Sequence, residues 1–311
     1  MANRYAGVDP VLTNVAIAYT NDAYVAPMIF PTLPVKSQTG KHFIYDRGRF
    51  RIDAAKRGMG APSNEVTLSL TTGLPYSCED HALKQFVSDE DAENAVITNA
   101  PFIDATENVT EKLMVDEERA LATYMASTGN LTQNTTLSGT SQWSDYTNSD
   151  PFGVIETAMA TIHTSIYQNP NTLLLGKQVW DKLKHHPDLL ERVKYSQKAV
   201  LTTELLASLL GIDRVIIGAA GYNSAKEGQT DSMAYIWGKH AWLLYVNPRV
   251  SQRMITFGFT YRWSAKTKKV ERLRGTDEED RKGTYVRVGD DYYDQNLVSA
   301  LAAYLIKDAV A

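Results

Sequence analysis

Between residues 35 and 70, two strand-like runs enclose a long glycine- and arginine-rich excursion that cannot pack on its own. The first run, Val35 to Tyr45, carries the aromatics Phe43 and Tyr45. The second, Glu65-Val66-Thr67-Leu68-Ser69-Leu70, alternates polar and apolar residues. That pattern predicts a half-buried strand with Val66, Leu68 and Leu70 on one face. Between the runs stand Asp46, Arg47, Arg49, Arg51, Lys56 and Arg57, with Gly48, Gly58 and Gly60 breaking regular structure. A two-stranded ribbon is only marginally stable in water, so a long protruding one is expected to lie on another subunit. Arg47, Arg49, Arg51, Lys56 and Arg57 are therefore candidate inter-subunit contacts. Taken alone, the segment also reads as a surface hairpin with a solvated basic tip.

The 311 residues leave room for two domains or one elaborated domain, and 43% hydrophobic residues are ample for a core. A net charge of -4 and a pI near 5.9 give no global attraction to nucleic acid or an anionic membrane, so any contact with DNA is expected to be weak or local. The single cysteine, Cys78, excludes an intrachain disulfide and suits a reducing cytoplasm. No apolar run approaches the roughly 20 residues that span a bilayer, and the opening MANRYAGVDP does not read as a signal sequence. The expected setting is inside a cell. Glycosylation-type triplets at Asn108, Asn130 and Asn134 are then chance matches.

The first 34 residues read as an arm. Tyr5, Tyr19, Tyr24 and Phe30 need a surface to bury against, and Pro27, Pro31 and Pro34 favour an extended path. The arm either folds over its own subunit or clasps a neighbour, which makes Tyr19, Tyr24 and Phe30 further contact candidates. A long helix is predicted over 105–128, capped by Asp104 with Glu107 at capping-box spacing and ended by Gly129. At 1.5 Å per residue it spans roughly 36 Å. The polar stretch from Gly129 to Pro151 reads as a domain junction. Beyond it the rhythm becomes mixed α+β, with helices at 152–167, 177–184 and 202–210 and strands at 172–175 and 214–217. Later strands are predicted at 234–237, 241–246, 255–263 and 284–288, followed by an amphipathic C-terminal helix from about Gln295 to Ala309.

Chemistry-bearing patterns are sparse. His185 and His186 are neighbours that point apart on a helix, and they read as a solvated helix end before Pro187. The acidic runs Asp277-Glu278-Glu279-Asp280 and Asp290-Asp291 lack calcium-loop spacing and read as solvated turns. Gly58-Met59-Gly60 belongs to no phosphate-binding motif, and no serine stands in a nucleophile elbow. Cys78 has Glu79-Asp80-His81 beside it, and carboxylates raise a thiol pKa rather than activate it. No catalytic, cofactor-binding or metal-ligating constellation is predicted.

The order of parts resembles the major capsid protein of tailed bacteriophages. The local resemblances are Val87-Ser88-Asp89-Glu90-Asp91-Ala92-Glu93-Asn94-Ala95, then Asn171-Thr172-Leu173-Leu174-Leu175-Gly176 with Trp180, and His186-Pro187 followed by Leu205-Leu206-Ala207. Tyr222-Asn223-Ser224-Ala225 and Ile236-Trp237-Gly238-Lys239 complete the series. The resemblance implies an α+β capsid fold with five regions. These are an N-terminal arm (1–34), an extended loop lying across the next subunit (35–75), a peripheral domain with its spine helix (76–150), an axial domain (151–260), and return strands with a C-terminal helix (261–311). It implies a non-enzymatic protein that self-assembles as hexamers and pentamers into an icosahedral shell around viral double-stranded DNA. The subunit is made in the host cytoplasm and resides in the virion, without membrane or cofactor. Portal, scaffolding and decoration proteins are implied partners, a separate scaffold especially, because the chain starts directly at the arm. Some relatives cross-link subunits through Lys and Asn, for which Lys56 is a positional candidate only. A cellular nanocompartment shell would share the fold. A cytoplasmic α+β enzyme or binding protein with a swapped hairpin is the remaining alternative.

Overall fold

The computed structural model describes residues 5–45, 52–53, 55–66, 70–97, 99–193, 201–226, 228–250, 255–274 and 281–311. The chain opens with β1 (Tyr5–Val8), α1 (Pro10–Ala18), the single-turn α2 (Ala26–Ile29) and β2 (Thr32–Val35). The antiparallel ribbon of β3 (Thr39–Tyr45) and β4 (Leu70–Ser77) follows, then β5 (Glu79–Ser88), α3 (Asp89–Asn94) and the long α4 (Ala100–Met125). After β6 (Asn134–Thr136) come α5 (Pro151–Ile166), β7 (Thr172–Gly176), α6 (Lys177–Leu183), α7 (Pro187–Val193), α8 (Thr203–Leu210) and β8 (Arg214–Gly218). A small hairpin, β9 (Gly221–Asn223) with β10 (Met233–Tyr235), precedes β11 (Ala241–Leu244), β12 (Gly258–Trp263), β13 (Lys269–Arg274), β14 (Gly283–Leu297) and β15 (Ala303–Lys307).

Two sheets organise the mixed α+β subunit. The six-stranded one runs β1-β13-β14-β12-β2, with β5 on the other side of the 15-residue β14. The five-stranded one runs β6-β15-β11-β7-β8. Helix α4 serves both. Ala105 and Val109 pack with Leu12, Ala16, Val87, Val270, Val286 and Val288 against the first sheet. Leu121, Ala122 and Met125 enter the core of the second, where Trp242 Nε1 donates to the Met125 carbonyl at 3.0 Å. One helix of 26 residues, about 39 Å long at 1.5 Å per residue, thus ties the two cores together.

Several boundaries differ from the sequence reading, each for a physical reason. The first 34 residues do not form an extended arm, because Pro10 and Pro27 sit in the first turns of helices, where the missing N–H costs nothing. Their flanking strands join the six-stranded sheet of their own subunit, β1 antiparallel to β13 and β2 parallel to β12. Helix α4 starts at Ala100, with Pro101 in its first turn and Asn99 left-handed at φ 67°, so Asp104 caps nothing. It ends at Met125, and Gly129 lies beyond it outside the left-handed region. The described part of β4 starts at Leu70, while Glu65 and Val66 are outside any strand and Val66 is 67% exposed; Thr67, Leu68 and Ser69 lie outside the described residues. The polar stretch 129–151 is no loose junction: β6 pairs in parallel with β15, and Trp143 is fully buried. No C-terminal helix forms. β14 runs to Leu297, and Ala303–Lys307 is a strand between β6 and β11.

Candidate assembly surface

The ribbon is anchored at its root and bare at its tip. At the root Tyr76 stacks on Tyr261, with centroids 4.6 Å apart and planes 7° from parallel, beside the buried Cys78 and His42. Burial, followed by Asp294, pushes the Cys78 thiol up to about 11, which leaves it a packing residue at neutral pH. Opposite His42 the ladder slips, with Lys41 paired to Pro75 but Phe43 to Thr72, a bulge that bends the ribbon where it leaves the subunit. Farther out, residues 55–66 are exposed throughout, Lys56 and Arg57 among them. Ile52 and Met59 are almost wholly in solvent, a feature the sequence reading passed over in favour of the cations. Arg47, Arg49 and Arg51 lie outside the described residues, as does the acidic turn Asp277–Asp280.

Two of the three aromatic contact candidates of the N-terminal segment, Phe30 and Tyr24, are buried within the subunit. Phe30 is fully buried against Phe257, edge to face at 5.2 Å, and against Gly258, where an added Cβ would stand 2.4 Å from its ring. Tyr24 is buried, and its hydroxyl donates to the Glu111 carboxylate. Burial and that bond raise its pKa. Half-buried Tyr19 lies beside the same carboxylate, and Asn21 Nδ2 donates to it at 3.1 Å. The apolar demand of these rings is met at home, so neither Phe30 nor Tyr24 presents a face to a neighbour.

Glu118 holds this segment to the rest of the subunit. Its carboxylate is fully buried in the middle of α4. It accepts the Val25 N–H at 2.9 Å, the Ala26 N–H at 2.8 Å and Trp237 Nε1–H at 2.6 Å. Burial raises its pKa against the opposing pull of those donors.

Two polar patterns read as solvated turn or helix end are structural. Asp290, left-handed at φ 56°, sits at a bulge of β14 within 3.0 Å of Lys269. Asp291 pairs with Arg262, which also reaches Glu117 on α4 at 3.1 Å. His185 is exposed, but His186 is buried. Its Nδ1 accepts the Asp188 N–H at 3.3 Å, and Nε2 lies 3.0 Å from Ser149 Oγ. Burial lowers its pKa against Asp188 and Asp150. His186→Ala is therefore expected to cost the unassembled subunit about 2 kcal/mol at pH 7.5, for lost packing and orphaned partners. A lowered folded pKa contributes stability above 6.5 that is lost as pH falls through the folded value. The penalty should accordingly shrink at pH 5. Urea unfolding at the two pH values checks this, and a penalty that grows in acid would contradict it.

Among the described residues no group of three or more His, Cys, Asp or Glu side chains could hold a metal ion. No helix among them is long and apolar enough to cross a membrane.

Comparison with known proteins places this arrangement. Residues 108–227 match the family described as phage major capsid protein E. The "Major capsid protein" of Burkholderia phage BcepMu is 32% identical over 305 residues, covering 96% of this chain and 95% of that one. A phage-related protein from Bordetella bronchiseptica RB50 superposes with TM-score 0.76 at 29% identity over 98% of each chain. A virus-like particle protein from Pyrococcus furiosus, at TM-score 0.58 and 11% identity, shares the fold alone. The mixed α+β fold is shared with solved phage capsid structures, at about 10% identity. With near full-length identity of this degree to a capsid subunit, the chain belongs to the phage major capsid protein family.

Proposed function

We propose that this capsid protein assembles as hexamers and pentamers into an icosahedral shell enclosing a double-stranded DNA genome, with no turnover of its own. The observation that carries the reading is the ribbon, which has a packed root and an exposed stretch over 55–66 that contributes nothing to its own subunit's core. Such a segment gains its stabilisation by lying on another copy. Lys56 and Arg57, with Arg47, Arg49 and Arg51, are the contacts, set against carboxylates of the next subunit. Each exposed pair contributes about 1 kcal/mol or less, but a lattice repeats it at every boundary. Assembly is expected to weaken with salt, since exposed charges are screened over about 8 Å at physiological ionic strength.

The six-stranded sheet with the first half of α4 is read as the peripheral region, and the five-stranded sheet as the axial region. On that reading β6 and β15 join the axial region from outside 151–260. Scaffolding, portal and decoration proteins are the proposed partners. DNA is touched only weakly, as a net charge of -4 favours. The subunit is made in the host cytoplasm and resides in the virion. The phage relative at 32% identity favours a viral shell over a cellular nanocompartment. Mass photometry of the purified subunit at micromolar concentration, with and without a scaffold partner, tests the reading. Capsomers or closed particles are expected. A monomer or dimer at every salt concentration would overturn it.

A further inference from the structure

The ribbon is held to its own subunit by very few side chains. Among the described residues of β3 and β4 only His42 and Tyr76 are buried, one on each strand. His42 lies beside Phe259 and Tyr261 of β12, with its ring centroid 6.1 Å from each. Those two rings belong to the apolar cluster that also holds Leu33, Val35 and Cys78. Neither nitrogen of the imidazole has a hydrogen-bond partner among the described residues. The ring also stands at the slip in the ladder, between Lys41 paired to Pro75 and Phe43 paired to Thr72. One half of the buried anchor is thus a titratable ring, placed at the bulge that bends the ribbon.

No neighbouring charge favours a proton there. Tyr76 from β4 and Tyr261 from β12 are the titratable rings of the pocket, and burial raises the pKa of each, so both stay neutral. The Cys78 thiol is neutral for the same reason, and β2 contributes only Leu33 and Val35. On β14, Asp294 accepts the Ser77 N–H at 2.9 Å. Arg262 of β12 is engaged by Asp291 and Glu117, and Lys41 is exposed. Burial alone lowers the His42 pKa. A protonated imidazole in this pocket carries a charge and two N–H donors without an acceptor, which favours its leaving for water.

We propose that His42 is a proton-operated latch: neutral, it holds the ribbon root on β12, and protonated, it leaves the aromatic pocket and lets the ribbon change its angle at the bulge. The latch belongs to the unassembled subunit, so it and the shell reading can fail separately. Its sign follows from a folded pKa below the ordinary 6.5: the latch is closed above 6.5 and is lost as pH falls through the folded value. His81 of β5 stacks on Tyr293 nearby, with centroids 3.9 Å apart, and is the rival source of an acid response at the root.

Amide hydrogen exchange of the unassembled subunit at pH 7.5 and pH 5, read in peptides of the ribbon root and corrected for the intrinsic rate, tests the latch. Wild-type protection at the root is expected to fall about tenfold in acid, well beyond any change in β11 of the other sheet. His42→Phe fills the pocket with a ring that cannot titrate, and His42→Leu does so with a smaller side chain. Both keep His81, and both are expected to hold the root at its pH 7.5 protection. A wild-type root that stays protected in acid, or loosens only in step with β11, would overturn the inference. So would variants that loosen as the wild type does, which would assign the response to His81 or another group. The His42 ring is followed by NMR in the wild type as well, where a protonation midpoint at or above 6.5 would overturn the inference even if neither variant folds.

Discussion

Glu118→Ala is expected to destabilise the unassembled subunit by about 3–5 kcal/mol, enough to unfold a large fraction of a marginally stable protein. Three donors converge on this one carboxylate: two backbone N–H groups at the start of α2 and the indole of Trp237. Alanine would leave them buried without an acceptor, at about 1–3 kcal/mol for each group so orphaned. Glu118→Gln keeps the volume and one acceptor oxygen but turns an amide N–H₂ toward a donor, so a smaller loss of about 2 kcal/mol is expected. Urea unfolding of the two variants against the wild type reads both values. An alanine variant within about 0.5 kcal/mol of wild type would show that the carboxylate does not hold α2 and Trp237 together.

Glu118 also shows where sequence reasoning stops. A glutamate amid Asp116, Glu117 and Arg119 reads as part of a solvated helix face. Only partners 93 and 119 positions away turn that face inward. Elements whose signals are local were legible. The strand at Thr172–Gly176 follows Pro170, and the helix at Thr203–Leu210 has its Thr202 cap and a left-handed Gly211 beyond its end. The C-terminal strand was not, because Ala303-Tyr304-Leu305-Ile306 is buried on both faces between β6 and β11, and a short apolar run carries no period that separates strand from helix. Pro27, Pro31 and Pro34 suggest an extended path from the sequence, yet Pro27 sits in the first turn of α2, a position that favours a helix start. Of the assembly surface, the ribbon and its cations were visible in the sequence. The aliphatic tip residues Ile52 and Met59 were visible too, but their weight comes from their exposure.

Removal of Gly48–Gly60, closed by a short turn, is expected to abolish shells while leaving a folded subunit. The described part of that segment is exposed throughout, and no residue of the buried clusters lies in it. The ribbon root, with Tyr76 on Tyr261, is retained. Melting of the shortened subunit should therefore stay within about 2 °C of wild type, the shift expected for less than 1 kcal/mol in a chain of this size. Every inter-subunit contact of the ribbon tip is lost at once, and in a repeating lattice that loss recurs at each boundary. Mass photometry of the wild type and the deletion, side by side at equal subunit concentration, reads the outcome directly. The prediction is closed particles from the wild type and only free subunits or small oligomers from a deletion protein that still melts cooperatively. Shells of normal size from the deletion protein would contradict it, as would a deletion protein that cannot fold, which would place the ribbon in the subunit's own core.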